Sequence, residues 1–297
     1  MDLKELPSPI RIYWDLEENP SDITVLQKIT EEIIESRILF LSLRDLSIPL
    51  SRSCLDILSA LKDEHIAVSL TVPGPAISPE IRSRLSGSGL KTLLLESSSL
   101  REAGSLIDKI EQQREADIAS GISFTINKDN SKDLAEVVSL CLDSGIPYLV
   151  FPIQRLEVGG NCFCLGDEEG KELAMKLKYL DYSTIQITIH DPFVWKVFYP
   201  DADYHEGGCQ AANSMLYISP AYKVYPCPAM PIELGDLHET TLAEIIRSPE
   251  KIELRQLLIR PAEDCLECDE AENCLGGCRG RALSSVGSLD LRDPGCL

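Results

Sequence analysis

Four cysteines crowd into one short stretch, PAEDCLECDEAENCLGGCRGRA: Cys265, Cys268, Cys274 and Cys278, spaced C-x2-C-x5-C-x3-C. Thiolate sulfur is a soft, charged ligand for iron or zinc, and such density suits a metal site better than a hydrophobic core. Cys209 and Cys227 precede the run and Cys296 follows it. Seven thiols nearly suffice for two four-coordinate centres and exceed the need of one.

Composition bounds what those thiols can serve. The chain has 297 residues, enough for one large domain or two ordinary ones, and 44% hydrophobic content, enough for a packed core. A net charge of −20 argues against nucleic acid or anionic membrane as partner, since both need basic patches. It leaves room for a basic partner, or reflects only a solvated surface. The start, MDLKELPSPI, lacks a basic segment followed by an apolar run, and no stretch has the apolar length of a membrane helix, so the sequence reads as cytosolic. Eleven cysteines in a reducing compartment point to metal rather than disulfides.

The elements that must position these residues are legible as β/α repeats. Strands are expected at 10–16, 38–43, 66–72, 91–97, 122–127, 148–153 and 184–190. Helices are expected near 22–36, 51–63, 78–86, 99–117, 131–144 and 168–180. The strands read as continuous apolar runs, hence a parallel sheet covered on its outer face. Such units suit an open partial barrel or a flat doubly wound sheet, and periodicity does not separate them. Leu134, Val137, Val138 and Cys141 fall on one helical stripe, as do Cys54, Ile57, Leu58 and Leu61. That spacing makes Cys54 and Cys141 core residues, not ligands. Trp14 and Trp195 read as core or interface packing. SGSGL (86–90) reads as a helix-ending turn, and the first strand has no glycine-rich phosphate loop. After residue 200 cysteine, proline and glycine rise, with one helix expected at 241–258, broken at Pro249. The chain thus divides into 1–200 and 201–297, the second part organised more by metal than by its own core.

The C-terminal third resembles the SPASM domain of radical S-adenosylmethionine (AdoMet) enzymes that modify peptides. The resemblance rests on YISPAYKVYPCPAM (217–230), LGDLHETTLAEIIRSPE (234–250), the cysteine run with its GGCRGRA tail, and the closing Cys296. It implies two [4Fe-4S] clusters, one on Cys265, Cys268, Cys274 and Cys296, the other on Cys209, Cys227 and Cys278. Possible fourth ligands of the second are Asp203, His205, Cys162 and Cys164, or the iron is open. Tyr222 stands where the family usually has glycine, which would strain a turn needing positive φ. Arg279 and Arg281 read either as offsets to cluster charge or as solvated surface arginines.

The first two-thirds resemble the radical AdoMet barrel with its chemistry missing. No cysteine precedes Cys54, so the C-x3-C-x2-C loop of that family has no counterpart after the first strand. LSLRDL (41–46) and TVPG (71–74) replace its other cofactor-contact turns. The fold expectation is therefore α/β: a degenerate partial (β/α) barrel followed by a small cysteine-rich SPASM domain. No AdoMet is expected, because a cluster lacking its ligands cannot chelate the cofactor. The combination resembles SPASM proteins of bacterial peptide-modification clusters such as the GeoRSP system. Partners implied are a radical AdoMet enzyme and a precursor peptide or small peptide chaperone, with an electron-relay or docking role. Two alternatives stand beside this reading. One is a structural zinc protein. The other is an enzyme using an open iron, with Asp203, His205 or the His190–Asp191 pair giving acid–base help.

Overall fold

The computed structural model describes residues 6–17, 23–112, 118–204 and 207–296. Seven strands, β1 (Arg11–Asp15), β2 (Phe40–Arg44), β3 (Ala67–Pro73), β4 (Leu90–Ser97), β5 (Ala119–Phe124), β6 (Tyr148–Phe151) and β7 (Gln186–Ile189), pair in parallel and in chain order. Between them run α1 (Ile23–Glu35), α2 (Arg52–Leu61), α3 (Pro79–Leu85), α4 (Leu100–Gln112), α5 (Leu134–Asp143) and α6 (Asp167–Leu177), and α7 (Pro192–Phe198) follows β7. Strand order never reverses, so there is no doubly wound switch point. Right-handed crossovers in unbroken order put the helices on one face and leave the other as the inside of a partial barrel.

β1, β2, β3 and β6 alternate rather than run buried throughout, whereas β5 is buried along almost its whole length. In β1, Ile12 and Trp14 are buried while Arg11 and Tyr13 are half-exposed; in β3, Val68, Leu70 and Val72 alternate with Ala67, Ser69 and Thr71. One face seals against the helices, and the other lines a polar interior. This corrects the expectation of uniformly apolar strands, and period two is the pattern a half-buried strand requires. Cys54 and Cys141 are fully buried in the main core, where burial pushes both thiols up, Cys141 to about 12. The last expected residues of the helix after β4, 113–117, lie outside the described residues.

The sheet does not end at residue 200. β8 (Met215–Ile218) lies parallel to β1 with Tyr13 opposite Tyr217, then β9 (Lys223–Tyr225) and β10 (Gly235–Asp236) add antiparallel strands. The expected helix divides into α8 (Leu242–Ile246) and α9 (Pro249–Leu258). Pro249 cannot donate to a preceding turn but suits the first turn of a new helix, capped by Ser248 accepting from the Lys251 N–H at 3.2 Å. Two short helices close the chain, α10 (Ala271–Cys274) and α11 (Arg279–Val286). The apolar cluster beneath them is small: Leu156, Ala211, Cys227, Ala229, Met230 and Leu258.

Tyr222 turns the β8–β9 hairpin at φ +60°, the backbone a glycine would adopt. Its ring is 2% exposed and meets His238 edge-on at 5.3 Å. The left-handed conformation costs about 1–2 kcal/mol, less than the roughly 3–5 kcal/mol lost on removing a buried aromatic ring. Tyr222→Gly is therefore expected to lower stability by about 1–3 kcal/mol despite relieving strain, read from urea unfolding. Cys54→Ser is expected to lower it by about 1–3 kcal/mol through an unpaired buried hydroxyl, with bound iron unchanged. Loss of iron would make Cys54 a ligand after all.

Candidate metal centre

Each cysteine reaches its place through a separate piece of backbone. Cys209 follows the left-handed pair Gly207–Gly208, and buried Arg255 from α9 donates to the carbonyls of Cys209 and Gly207. Cys227 ends the β8–β9 hairpin in a tight turn, where the Met230 N–H donates to its carbonyl at 3.2 Å. Cys278 is the residue before α11, and its N–H donates to Asp293 Oδ2 at 2.7 Å. Cys265 ends a short 3-10 turn, Cys268 is exposed beyond it, and Cys274 ends α10. The Cys296 N–H donates to the Asp293 carbonyl at 2.9 Å.

The glycines of GGCRGRA have a geometric reason. Gly276 and Gly277 hold φ of +103° and +72°, and a side chain on Gly277 would strike Asp293 and Phe193. On α11, a Cβ at Gly280 would overlap the Ala229 carbonyl, so the helix lies directly on the Cys227 turn.

The thiols fall into two groups by mutual electrostatics. The Cys227 sulfur is raised by the neighbouring Cys209 and Cys278, and Cys278 by Cys209. Cys265 is raised by Cys296 and Cys268, Cys274 by Cys296 and Cys265, and Cys296 by Cys268. In every case burial is the larger cause, and it pushes Cys278 up to about 12. Thiols so raised stay protonated when free, and a bound cation reverses that by stabilising the thiolate. Donors are in place for the charge: the N–H groups of Ala229 and Met230 face the Cys227 sulfur, those of Gly276 and Gly277 face Cys274, and that of Arg281 faces Cys278. This donor set fits metal-bound thiolates. A single tetrahedral zinc ion would draw its sulfurs to about 3.8 Å of one another. Among the described residues no three His, Cys, Asp or Glu side chains converge as a single ion requires.

Cys209, Cys227, Cys274 and Cys278 face a common cavity of about 290 Å³ with Trp195 and Tyr204. Of the possible fourth ligands, Asp203 is exposed and His205 lies outside the described residues. Cys162 and Cys164 are half-buried with sulfurs 3.9 Å apart. Cys162 packs on the same small apolar cluster as Cys209 and Cys278. Asp203, Cys162 and Cys164 do not line the cavity.

Three sequence readings need correcting or narrowing. Arg279 and Arg281 are not solvated; each is 1% exposed. Arg279 donates to the carbonyls of Leu289, Arg260 and Leu275. Arg281 pairs with Asp293 at 2.7 Å and with Asp191, and donates to the Phe163 carbonyl at 3.1 Å. Asp191 is thereby committed: it accepts from the N–H groups of Phe193 and Val194 as the cap of α7, and it offers no acid–base group. Of the two places read for Trp195, core or interface, the core is excluded: it is half-buried and lines the cysteine cavity, its ring 5.6 Å from Tyr199 and 6.1 Å from Tyr204. Trp14 is a core residue, as expected. Asp293, fully buried between both cysteine groups, and Arg255 escaped the sequence reading, because nothing in their local pattern marks them as buried.

His190 lies at the boundary of two cavities. It and Ile153 line both the cysteine cavity and a larger one of about 460 Å³ inside the barrel. Its Nε2 meets Tyr13 Oη at 3.3 Å. Burial first, then the positive fields of Arg11 and Arg155, push its pKa down to about 4. At the C-terminal ends of the strands Arg155 clasps Asp15 with two bonds of 2.6 and 2.7 Å, Tyr217 Oη donates to Asp15 at 3.2 Å, and Arg44 pairs with Glu96 at 2.7 Å.

Residues 209–269 match the family model of the SPASM iron–sulfur cluster-binding domain. The matched stretch holds Cys209, Cys227, Cys265 and Cys268 and stops short of the other three. The AdoMet-dependent heme synthase of Methanosarcina barkeri is 24% identical over 272 residues, covering 79% of this chain and 75% of that protein. Streptococcus suis SuiB superposes with a TM-score of 0.71 at 15% identity, covering all of this chain and 79% of its own. anSMEcpe with bound AdoMet superposes at 0.68 and 13% identity, covering 97% of this chain and 91% of its own. These likenesses establish the fold, an α/β protein with a mostly parallel sheet, and its C-terminal part is similar to the SPASM domain. Among the described residues no helix is long and apolar enough to cross a membrane.

Two outcomes follow. Arg281→Met leaves Asp293 and Asp191 buried without their cation, so stability is expected to fall by about 3–5 kcal/mol, measured by chemical denaturation. His190 titrates in the unfolded chain near its usual 6.5 and in the folded chain near 4, so its stabilising contribution is present above 6.5 and lost as pH falls towards 4. His190→Gln is expected to shrink the drop in urea midpoint between pH 7 and pH 5; an unchanged drop would contradict the neutral imidazole.

Proposed function

We propose that this chain is a non-catalytic iron–sulfur protein that assists a partner radical AdoMet enzyme in modifying a peptide. The observation that carries this reading is the state of the barrel's C-terminal rim. No cysteine precedes Cys54, Cys54 and Cys141 are sealed in the core, and the strand ends carry the Asp15–Arg155 and Arg44–Glu96 ion pairs. Asp15 ends the strand after which that family places its cluster loop. A thiolate-held cluster finds no ligands there.

In this reading Cys265, Cys268, Cys274 and Cys296 hold one [4Fe-4S] cluster, and Cys209, Cys227 and Cys278 the other. Such clusters supply one-electron transfer when bound. The chain's own contribution is to shape their charge: N–H groups aim at three of the sulfurs, and Arg279 and Arg281 are buried close by. Cys162 is the fourth-ligand candidate best supported by packing, since it shares an apolar cluster with Cys209 and Cys278. Exposure of Cys268 favours a relay role, because a partner's redox centre could approach that group from solvent. The partner would be a radical AdoMet enzyme, with a precursor peptide or small peptide chaperone bound alongside.

A second reading, an enzyme that itself uses AdoMet, is favoured by the relatives: a heme synthase named as AdoMet-dependent, and structures with AdoMet bound. The deciding assay incubates anaerobically reconstituted protein with AdoMet and dithionite and follows 5′-deoxyadenosine by chromatography. No product above a protein-free control is expected. Cleavage at the rate of cluster turnover would overturn the proposal and establish the second reading.

A further inference from the structure

The barrel interior is open and unevenly charged, with Phe40, Ile126 and Val150 lining it beside hydroxyl and charged groups. Its cavity of about 460 Å³ runs from the N-terminal strand ends, at Arg11, Phe40 and Lys91, to the C-terminal ends, at Arg44, Glu96 and His190. That volume suits a small molecule or a short peptide segment. Small hydroxyl side chains, Ser42 and Ser69 among them, occupy inward positions that bulky residues would otherwise fill. Charge separates the two ends. At the C-terminal end Arg44 and Arg155 are matched by Asp15 and Glu96. At the other end, among the described residues, neither Arg11 nor Lys91 has a carboxylate at ion-pair distance. A chain of net charge −20 thus keeps two cations on this cavity with no carboxylate partner among the described residues.

Arg11 is also held ready. Its Nη1 donates to Ser42 Oγ at 3.0 Å, Ser69 Oγ bonds Ser42 Oγ at 3.1 Å, and the guanidinium lies 4.8 Å from the Phe40 ring and 5.7 Å from the Tyr13 ring. A guanidinium fixed by one hydroxyl acceptor and two rings keeps the rest of its planar fork for a bidentate acceptor. We propose that this cavity binds a carboxylate with an apolar body, Arg11 anchoring the carboxylate and Lys91 adding charge at the rim. Phosphate is the poorer fit, since the strands offer no run of backbone N–H groups to cradle it. The carboxylate could belong to a free organic acid or to an acidic side chain of a peptide. The inference deepens the docking role proposed above and rests on the barrel not being an AdoMet site.

The test is isothermal titration calorimetry of the reconstituted full chain. The ligands are a panel of monocarboxylates with aliphatic or aromatic bodies, capped glutamate tetrapeptides, the matching amides and glutamine peptides, inorganic phosphate and AdoMet. At least one carboxylate is expected to saturate the protein, at least tenfold tighter than its amide. Arg11→Gln is expected to weaken it at least tenfold and Lys91→Gln less, with iron content and circular dichroism unchanged in Lys91→Gln. Preference for the free acids or for the peptides identifies the source; either supports the site. No saturable carboxylate binding below millimolar concentration, equal binding of acids and amides, or no effect of either variant overturns it. AdoMet binding that is insensitive to Arg11 overturns this inference and the non-catalytic reading together, whereas low iron with intact carboxylate binding faults only the cluster assignment.

Discussion

The cysteine-rich part of this protein depends on one buried cation. Arg281, on α11, pairs with Asp293 of the C-terminal loop and Asp191 at the cap of α7, and donates to the carbonyl of Phe163 between Cys162 and Cys164. Asp293 in turn accepts from the Cys278 N–H, while its carbonyl accepts from the Cys296 N–H. One cation and one carboxylate therefore join the barrel's last crossover, the Cys162–Cys164 loop and a cysteine from each group. Burying such a pair gains little net stability, but losing one partner is costly, so the arrangement fixes geometry more than it adds energy. Fixed geometry is what a multi-cysteine site needs, because it brings thiols from separate segments near one another, and metal binding then adds to folding stability.

The barrel repeats were legible because each strand and helix carries its own periodicity. All seven strands appear near their expected places, β5 about three residues early. Strand order, which decides between barrel and doubly wound sheet, left no local trace. The alternation in RIYWD and AVSLTVP is present in the sequence, but the high apolar content of the neighbouring residues masks it. α7 was missed although Asp191 and Pro192 mark its start, because it is short and amphipathic only in context. The pairing of β8 with β1 is a long-range contact that no window of sequence contains. The cysteine spacing marked the C-terminal part as a metal-binding region. It was silent on Arg255, Arg279 and Arg281, since a charged residue on a helix normally reads as solvated, and only the tertiary fold buries it. Tyr222 shows a sound warning with an incomplete outcome: the strained backbone is there, and ring burial outweighs it.

The two cavities meet at His190 and Ile153. A neutral imidazole at that boundary suits a wall between a barrel interior with unmatched cations among the described residues and a pocket of cysteines, since it adds no charge to either side. The ion pairs of Asp15, Arg44, Glu96 and Arg155 occupy the C-terminal ends of the strands. The scaffold joins a ligand-sized interior to a cysteine-rich part, the combination that the proposed binding and relay roles need.

The central claim is that seven cysteines of this chain organise two four-iron centres. Its most direct test is the iron and acid-labile sulfide content per chain after anaerobic reconstitution, with zinc assayed in parallel and the reduced protein examined by electron paramagnetic resonance. The account predicts about eight irons, about eight sulfides and two distinct [4Fe-4S] signals. Stoichiometric zinc without iron, or about four irons with one signal, would contradict it.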